Sequence, residues 1–269
     1  MEGFANSGAD FFAYVSQHLE QLNRELSTRS PLEIIRWLQQ CNPANVVQFT
    51  SFGFSGMVIM DCLFAANYAI PTVFLDTLFH FPETLELRDR VVARYNNLQV
   101  ITYKSALVSD AAELERVYGA KLWETQPNTY DYITKIEPTV RALDELNVQV
   151  WITGRRRSQG SERADLQVLE ITQDGRIKVN PTAFLSWNDV INYLTANNVP
   201  YNQLLHKGYK SVGDTVSTVP TLNSGERSGR WSKENRTECG IHHSKHYTNR
   251  LTNSSASLTN SNSQAPTLA

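Results

Sequence analysis

Cysteine is scarce. The 269 residues hold three, Cys41, Cys62 and Cys239, too few and too widely spaced for a disulfide scaffold and suited to a reducing compartment. Excess charge of either sign is also missing, since 25 Lys+Arg face 27 Asp+Glu. A net charge of -2 gives no chain-wide positive field for wrapping nucleic acid, so anions must be recognised by local Lys/Arg clusters. No run approaches the roughly 18 to 20 apolar residues of a membrane span, and the opening MEGFANSGADFF lacks a basic region followed by an apolar one. The expectation is a cytoplasmic protein with neither a membrane nor a nucleic-acid partner. What is present is 41% hydrophobic residues, enough for the core of one α/β domain with or without a tail.

Phe11, Phe12, Val15, Leu19, Leu22 and Leu26 recur with helical spacing, and a second helix follows Pro31 and stops near Asn42-Pro43. Residues 1–42 therefore read as a helical extension laid on a core or a partner. From there strands and helices alternate. Val46–Thr50 is β-rich, SFGFSG forms a glycine-rich turn, and MVIMDCLFAAN has helical length. Strands are predicted at 72–75, 98–103 and 148–153, with helices at 83–95 and 111–118. The segments VLEIT and RIKVNP and a helix at 187–196 complete a domain over 43–207. This alternation predicts a doubly wound, mostly parallel sheet with helices on both faces and ligands outside the carboxyl ends of the strands. Apolar periodicity fades past Gly208, so 208–247 reads as a mobile segment; 248–269, rich in Asn, Ser and Thr, reads as a disordered tail.

Three segments can carry chemistry. In SFGFSG, Ser51, Gly53, Ser55 and Gly56 lie between a strand and a helix N-terminus, where unpaired N–H groups attract phosphate or sulfate. The pattern lacks the Lys of GxxxxGK[ST] and does not fit GxGxxG, so an ordinary tight turn is an equal reading. GRRRSQGSER sets Arg155, Arg156, Arg157 and Arg163 after a strand, either as a solvated basic loop or, as its position at the ligand edge favours, as an anion site. Finally, Cys239 lies in a polar segment expected to be exposed, with Arg227, Arg230, Lys233 and Arg236 before it and His242 and His243 after it, which favours the thiolate. C-x-x-H is half a zinc signature, but no CxxC or HxxxH matches it, and no metal is expected. Cys62 reads as core and Cys41 as packing at a helix end.

SFGFSG, LDTLFHFPET, YDYITKIEPTVRALDEL, TGRRRSQGSERADLQVLEI, GYKSVGDTVST and ERSGRW with TECGIH, in this order, resemble the thioredoxin-dependent phosphoadenylyl-sulfate (PAPS) reductases. The resemblance runs from about Val46 to His242 and implies an adenine nucleotide alpha-hydrolase-like fold. A sister branch, the adenylyl-sulfate (APS) reductases, holds an iron-sulfur cluster through a Cys-Cys pair and a Cys-x-x-Cys pair. By alignment to that pattern the four positions here are Tyr130, Asp131, Asp214 and Ser217, none a cysteine. The resemblance thus implies the branch with no iron-sulfur cluster and no bound cofactor, whose substrate carries a ribose 3′-phosphate.

It further implies that Cys239 attacks the sulfuryl sulfur, that adenosine 3′,5′-bisphosphate leaves, and that thioredoxin releases sulfite from a Cys-linked thiosulfonate. Ser51–Gly56 would hold the phosphosulfate, Lys135 and Arg155 would share its charge, and Asp76 would hold the nucleoside. Arg156 and Arg157 are the candidates for the 3′-phosphate, and Arg227, Arg230 and His242 would move with Cys239. A homodimer is the implied assembly. Two other readings stay open: an ATP-using and magnesium-using enzyme of the same loop superfamily, which would not need Cys239, and a non-catalytic nucleotide-binding protein.

Overall fold

The computed structural model describes residues 10–221, 225–231 and 236–242; the expected tail at 248–269 lies outside them. Helix α1 (Phe11–Leu26) starts at Asp10, whose carboxylate accepts from the Phe12 N–H. Helix α2 (Pro31–Cys41) starts at Ser30, which exchanges hydrogen bonds with Glu33 in a capping box ahead of Pro31. Both bury an apolar stripe, Phe11, Val15 and Leu22 on one and Ile34, Ile35 and Leu38 on the other, in the same core as the sheet. The N-terminal helices are thus a layer of the domain.

The chain then runs β1 (Val46–Thr50), α3 (Phe54–Ala65), β2 (Thr72–Asp76), α4 (Pro82–Arg94), β3 (Val100–Lys104) and α5 (Ala111–Tyr118). Two short helices, α6 (Leu122–Thr125) and α7 (Pro127–Asp131), lead through a π-helical turn at Tyr132–Ile136 into α8 (Glu137–Glu145). β4 (Val150–Ile152), β5 (Leu169–Ile171), β6 (Ile177–Val179) and α9 (Trp187–Ala196) follow. The sheet order is β3-β2-β1-β4-β6-β5, parallel except where β5 runs against β6. Side chains alternate across it: Val46, Phe74, Val150 and Ile152 pack with α1–α4 and α9, while Val47, Val73 and Trp151 pack with Ala142 and Leu143 of α8. The expected doubly wound α/β fold is therefore the observed one.

Strand order reverses between β1 and β4, which opens a crevice beyond their carboxyl ends. The π-helical turn beside it has a local cause. Pro138 has no N–H to give the Thr134 carbonyl, so the helical ladder slips, and the hydroxyls of Thr134 and Thr139 bond back to the Tyr130 and Lys135 carbonyls at 2.8 and 2.7 Å. Beyond Gly208 the described chain is packed against the body. Val212, Asp214, Ser217, Thr218 and Trp231 are buried, and Asp214 bridges to His80 of the β2–α4 loop. Apolar periodicity does not register this packing because much of it is polar.

Candidate active site

A cavity of about 230 Å³ lies at that crevice. One wall is the β1–α3 loop, including Ser51, Gly53, Ser55 and Gly56. Phe52 adopts the left-handed φ of 54° that non-glycine residues seldom take; its buried ring packs on Phe74 at 4.9 Å, and its N–H donates to Thr50 Oγ1 at 2.9 Å. This bend delivers Gly53 to the N-cap of α3, and no side chain caps the helix there. Its first-turn N–H groups, which have no partner within the helix, are left for an anion. Ser55 and Gly56 belong to that turn of helix and not to the loop. Gly154, after β4, completes the wall: a Cβ there would stand 3.0 Å from the Gly56 nitrogen.

Lys135 projects from the π-helical turn into the cavity wall and is almost fully buried. Its ammonium lies 2.7 Å from Asp131 and 2.9 Å from Asp214. Burial alone would lower its pKa, but the two carboxylates outweigh it and hold the pKa above the ordinary lysine value. Asp214 in turn accepts from the Tyr130 hydroxyl at 3.0 Å and pairs closely with the Ser217 hydroxyl. Despite its burial, Lys135 and the Ser217 hydroxyl hold Asp214 well below the usual carboxylate range. Tyr130, Asp131, Asp214 and Ser217, the four positions that the resemblance aligns with cluster cysteines, thus meet in space as an oxygen-rich hydrogen-bonded network. It offers no thiolate and does not fit a cysteine-held iron-sulfur cluster, and no group of three His, Cys, Asp or Glu suited to a metal occurs among the described residues.

The opposite wall is arginine-rich. Arg155 pairs with Glu170 and donates to Thr153 Oγ1 at 3.1 Å. Arg163 forms a two-pronged pair with Glu238, and Arg227 reaches the same carboxylate at 3.5 Å and the Thr237 carbonyl at 2.8 Å. Arg230 stacks on Trp231 at 4.5 Å, its Nε is buried without a hydrogen-bond partner, and no carboxylate pairs with it among the described residues. It runs so close to Gly213 that a Cβ on that glycine would fall 2.5 Å from the guanidinium carbon.

Cys239 faces this cavity with Ile241 and His242. The expectation of an exposed, thiolate-favouring cysteine needs correction. The residue is half-buried, and burial pushes the thiol above its ordinary value, with the Lys135 ammonium the strongest opposing influence. Flanking sequence overstated the positive field because Arg236 pairs with Asp131 and Arg227 with Glu238. His242 is held well below the ordinary histidine value by burial and by the surrounding cations Arg155, Lys178, Arg163 and Arg227, so its ring is neutral. Cys41 and Cys62 lie away from the cavity, their thiols pushed up by burial to about 11 and about 12.

Three candidates are not brought to the cavity. Asp76 turns back to accept from the Leu78 N–H at 2.9 Å. Arg156 is fully buried, where it donates to Ser55 Oγ at 2.7 Å and pairs with Glu226, so it buttresses the anion loop from behind. Arg157 points away, donating to the Ala164 carbonyl at 2.8 Å and lying over Phe184. The expected 3′-phosphate pair, Arg156 and Arg157, is therefore not brought to the cavity: consecutive residues in a loop point in different directions, and of the three arginines only Arg155 lines it. Sequence reasoning missed Lys178, which lies 4.6 Å over the Trp151 ring and donates to the His242 carbonyl at 3.3 Å. A lysine between buried Ile177 and Val179 in a central strand was its signal.

Residues 45–220 match the sequence model of the phosphoadenosine phosphosulfate reductase domain. The chain belongs to that family. It is 46% identical to the phosphoadenosine phosphosulfate reductase of Emericella nidulans over 85% of this chain and 76% of that protein. It is 40% identical to the Saccharomyces cerevisiae protein of the same name over 86% and 92%, and 37% identical to an adenosine 5′-phosphosulfate reductase of Bacillus anthracis over 81% and 96%. The crystal structure of Candida auris phosphoadenylyl-sulfate reductase in a phosphate complex superposes with a TM-score of 0.68 at 40% identity, covering 76% of this chain and 97% of that one. A Candida glabrata FMN adenylyltransferase (TM-score 0.51, 14% identity, 85% of this chain and 83% of that one) shares the fold alone.

Proposed function

We propose that this family member reduces 3′-phosphoadenylyl sulfate to sulfite and adenosine 3′,5′-bisphosphate, with thioredoxin as electron donor, no bound cofactor, and a homodimer as its assembly. One observation carries the reading: Cys239 shares a single cavity with the uncapped N-terminus of α3 and with Lys135. The helix end and Lys135 suit a phosphosulfate, and the sulfur atom suits attack on its sulfuryl group. As the thiol gives up its proton to water, its electron pair forms an S–S bond to the sulfuryl sulfur; the S–O bond breaks, and the nucleotide leaves with the S–O electron pair on its phosphate oxygen. A thioredoxin thiolate next attacks the Cys239 sulfur, sulfite departs with the S–S electron pair, and the second thioredoxin thiol resolves the mixed disulfide. The reductant supplies both electrons.

Preference for the 3′-phosphorylated nucleotide rests on Tyr130, Asp131, Asp214 and Ser217 standing where the cluster branch has cysteines. With Arg156 and Arg157 engaged elsewhere, Arg227 and Arg230 are cavity cations that can meet phosphate oxygens. Incubation with PAPS and no reductant is expected to leave a sulfonate adduct on Cys239, read by intact mass and peptide mapping, which reduced thioredoxin clears as sulfite. An adduct on Cys62, or full turnover by Cys239→Ser, refutes the mechanism.

A further inference from the structure

Arg236 and Glu238 precede Cys239 by three and by one residue and are tied to different walls of the cavity. Arg236 pairs with Asp131 at the end of α7, and Glu238 pairs through both oxygens with Arg163 in the loop after β4. These are not surface pairs: side-chain exposure is 3% for Asp131, 9% for Glu238, 11% for Arg163 and 20% for Arg236. Each receptor on the body also keeps a second partner. Asp131 holds Lys135 at 2.7 Å, and Arg163 donates to Gln159. Withdrawal of the Cys239 segment therefore leaves Asp131 its ammonium partner and leaves Arg163 a hydrogen bond to Gln159 in a cavity then opened to water, while Arg236 and Glu238 recover their hydration outside. Ionic anchors of this kind repay much of their own desolvation on release, so the bound and released states lie close in free energy.

We infer that the Asp131–Arg236 and Arg163–Glu238 ion pairs act together as a reversible clasp that holds Cys239 over the cavity and sets how often it is released to a reductant. The inference deepens the reductase reading and rests on it for the role of the released state. Asp131 occupies one of the positions given to a cluster cysteine in the sister branch, so this anchor exists only where the cluster does not. Arg236 and Glu238 are positioning residues: they act through where they put the thiol.

The test begins on the free protein, where no substrate is needed. Iodoacetamide labelling of Cys239 should accelerate about tenfold in Arg236→Gln and in Glu238→Gln, and further in the double variant, while Cys62 stays protected. In the unchanged chain, labelling of Cys239 should quicken as salt rises from roughly 0.05 to 1 M, because the released, solvated side chains gain from the ionic atmosphere that the buried pairs largely lack. With PAPS, the variants should form the sulfonate adduct more slowly but release sulfite to thioredoxin no more slowly than the parent. Equal labelling in parent and variants overturns the clasp. If a variant exposes Cys62 as well, general unfolding is the cause and the salt series decides, a flat profile overturning the proposal. Absence of any adduct with PAPS would sink the reductase reading while leaving the labelling result to stand on its own.

Discussion

Replacing Lys135 by Met removes the cation between Asp131 and Asp214 and leaves two buried carboxylates. At contacts of 2.7 and 2.9 Å and an effective dielectric of about 20, each pair carries a raw attraction of about 6 kcal/mol. Desolvation and proton uptake offset much of this, and breaking such a buried pair costs about 3 to 5 kcal/mol net. Against a domain stability of about 5 to 15 kcal/mol, the variant folds with a Tm lowered by about 10 °C. The pH dependence gives the sharper test. In the parent, Asp214 is held below its ordinary 3.8, so its contribution is full above that value and is lost as pH falls through the lower folded value. In the variant, burial without the cation raises Asp214, whose cost is greatest at neutral pH and is relieved as it protonates. Lys135 itself titrates above 10.5 and is constant over this range. The Tm gap between parent and variant should therefore shrink from about pH 7 to about pH 5. Thermal melts at several pH values measure it, and a gap that is absent or constant refutes the reasoning. Iodoacetamide rates at Cys239 should also shift to higher pH, since Lys135 is the main group drawing that thiol down.

Arg230→Met should weaken adenosine 3′,5′-bisphosphate binding by at least about tenfold, the worth of one charge-assisted contact, whereas Arg157→Ala should leave it nearly unchanged; calorimetric titration separates them, and equal losses contradict the assignment. Gly154→Ala should keep the fold but reduce nucleotide affinity, since its methyl meets the Gly56 nitrogen at 3.0 Å and displaces the α3 N-terminus; unaltered affinity would show that this end of the helix does not bind the anion.

Alternation of β-rich runs with helical periods made the sheet and its ligand edge readable, because strand and helix periods are local properties. The SFGFSG loop and Cys239 were readable as lining one site. The short α6 and α7 were not, having too few residues to show a period, and neither was the slip in the helix at Lys135, whose cause is a single proline. Ion pairs are invisible to any local reading. Asp131 and Arg236 are separated by 105 positions and Arg163 and Glu238 by 75, and each pair changes what the neighbouring cysteine experiences. The same blindness produced the misassignment of Arg156 and Arg157, since a loop has no period from which side-chain direction can be inferred.

Which cations still attract an anion follows from the pairing. Arg155 has Glu170, Arg163 has Glu238, and Lys135 lies between two aspartates, so these three present much less field to the cavity than their charge suggests. Arg227 shares a carboxylate already engaged by Arg163, and Arg230 has no carboxylate within ion-pair distance among the described residues, its charge acting on Asp214 from further off. The residual attraction therefore concentrates at Arg227, Arg230 and the uncapped end of α3, around the space that Cys239 faces. This arrangement also bears on the thiol. A site already neutralised by its own carboxylates keeps the thiol protonated in the free protein, where an exposed thiolate would be open to oxidation. Deprotonation is then coupled to the attack itself. Once a sulfuryl group lies against the sulfur, the forming bond takes up the electron pair that the low-dielectric cavity would otherwise penalise as a buried anion.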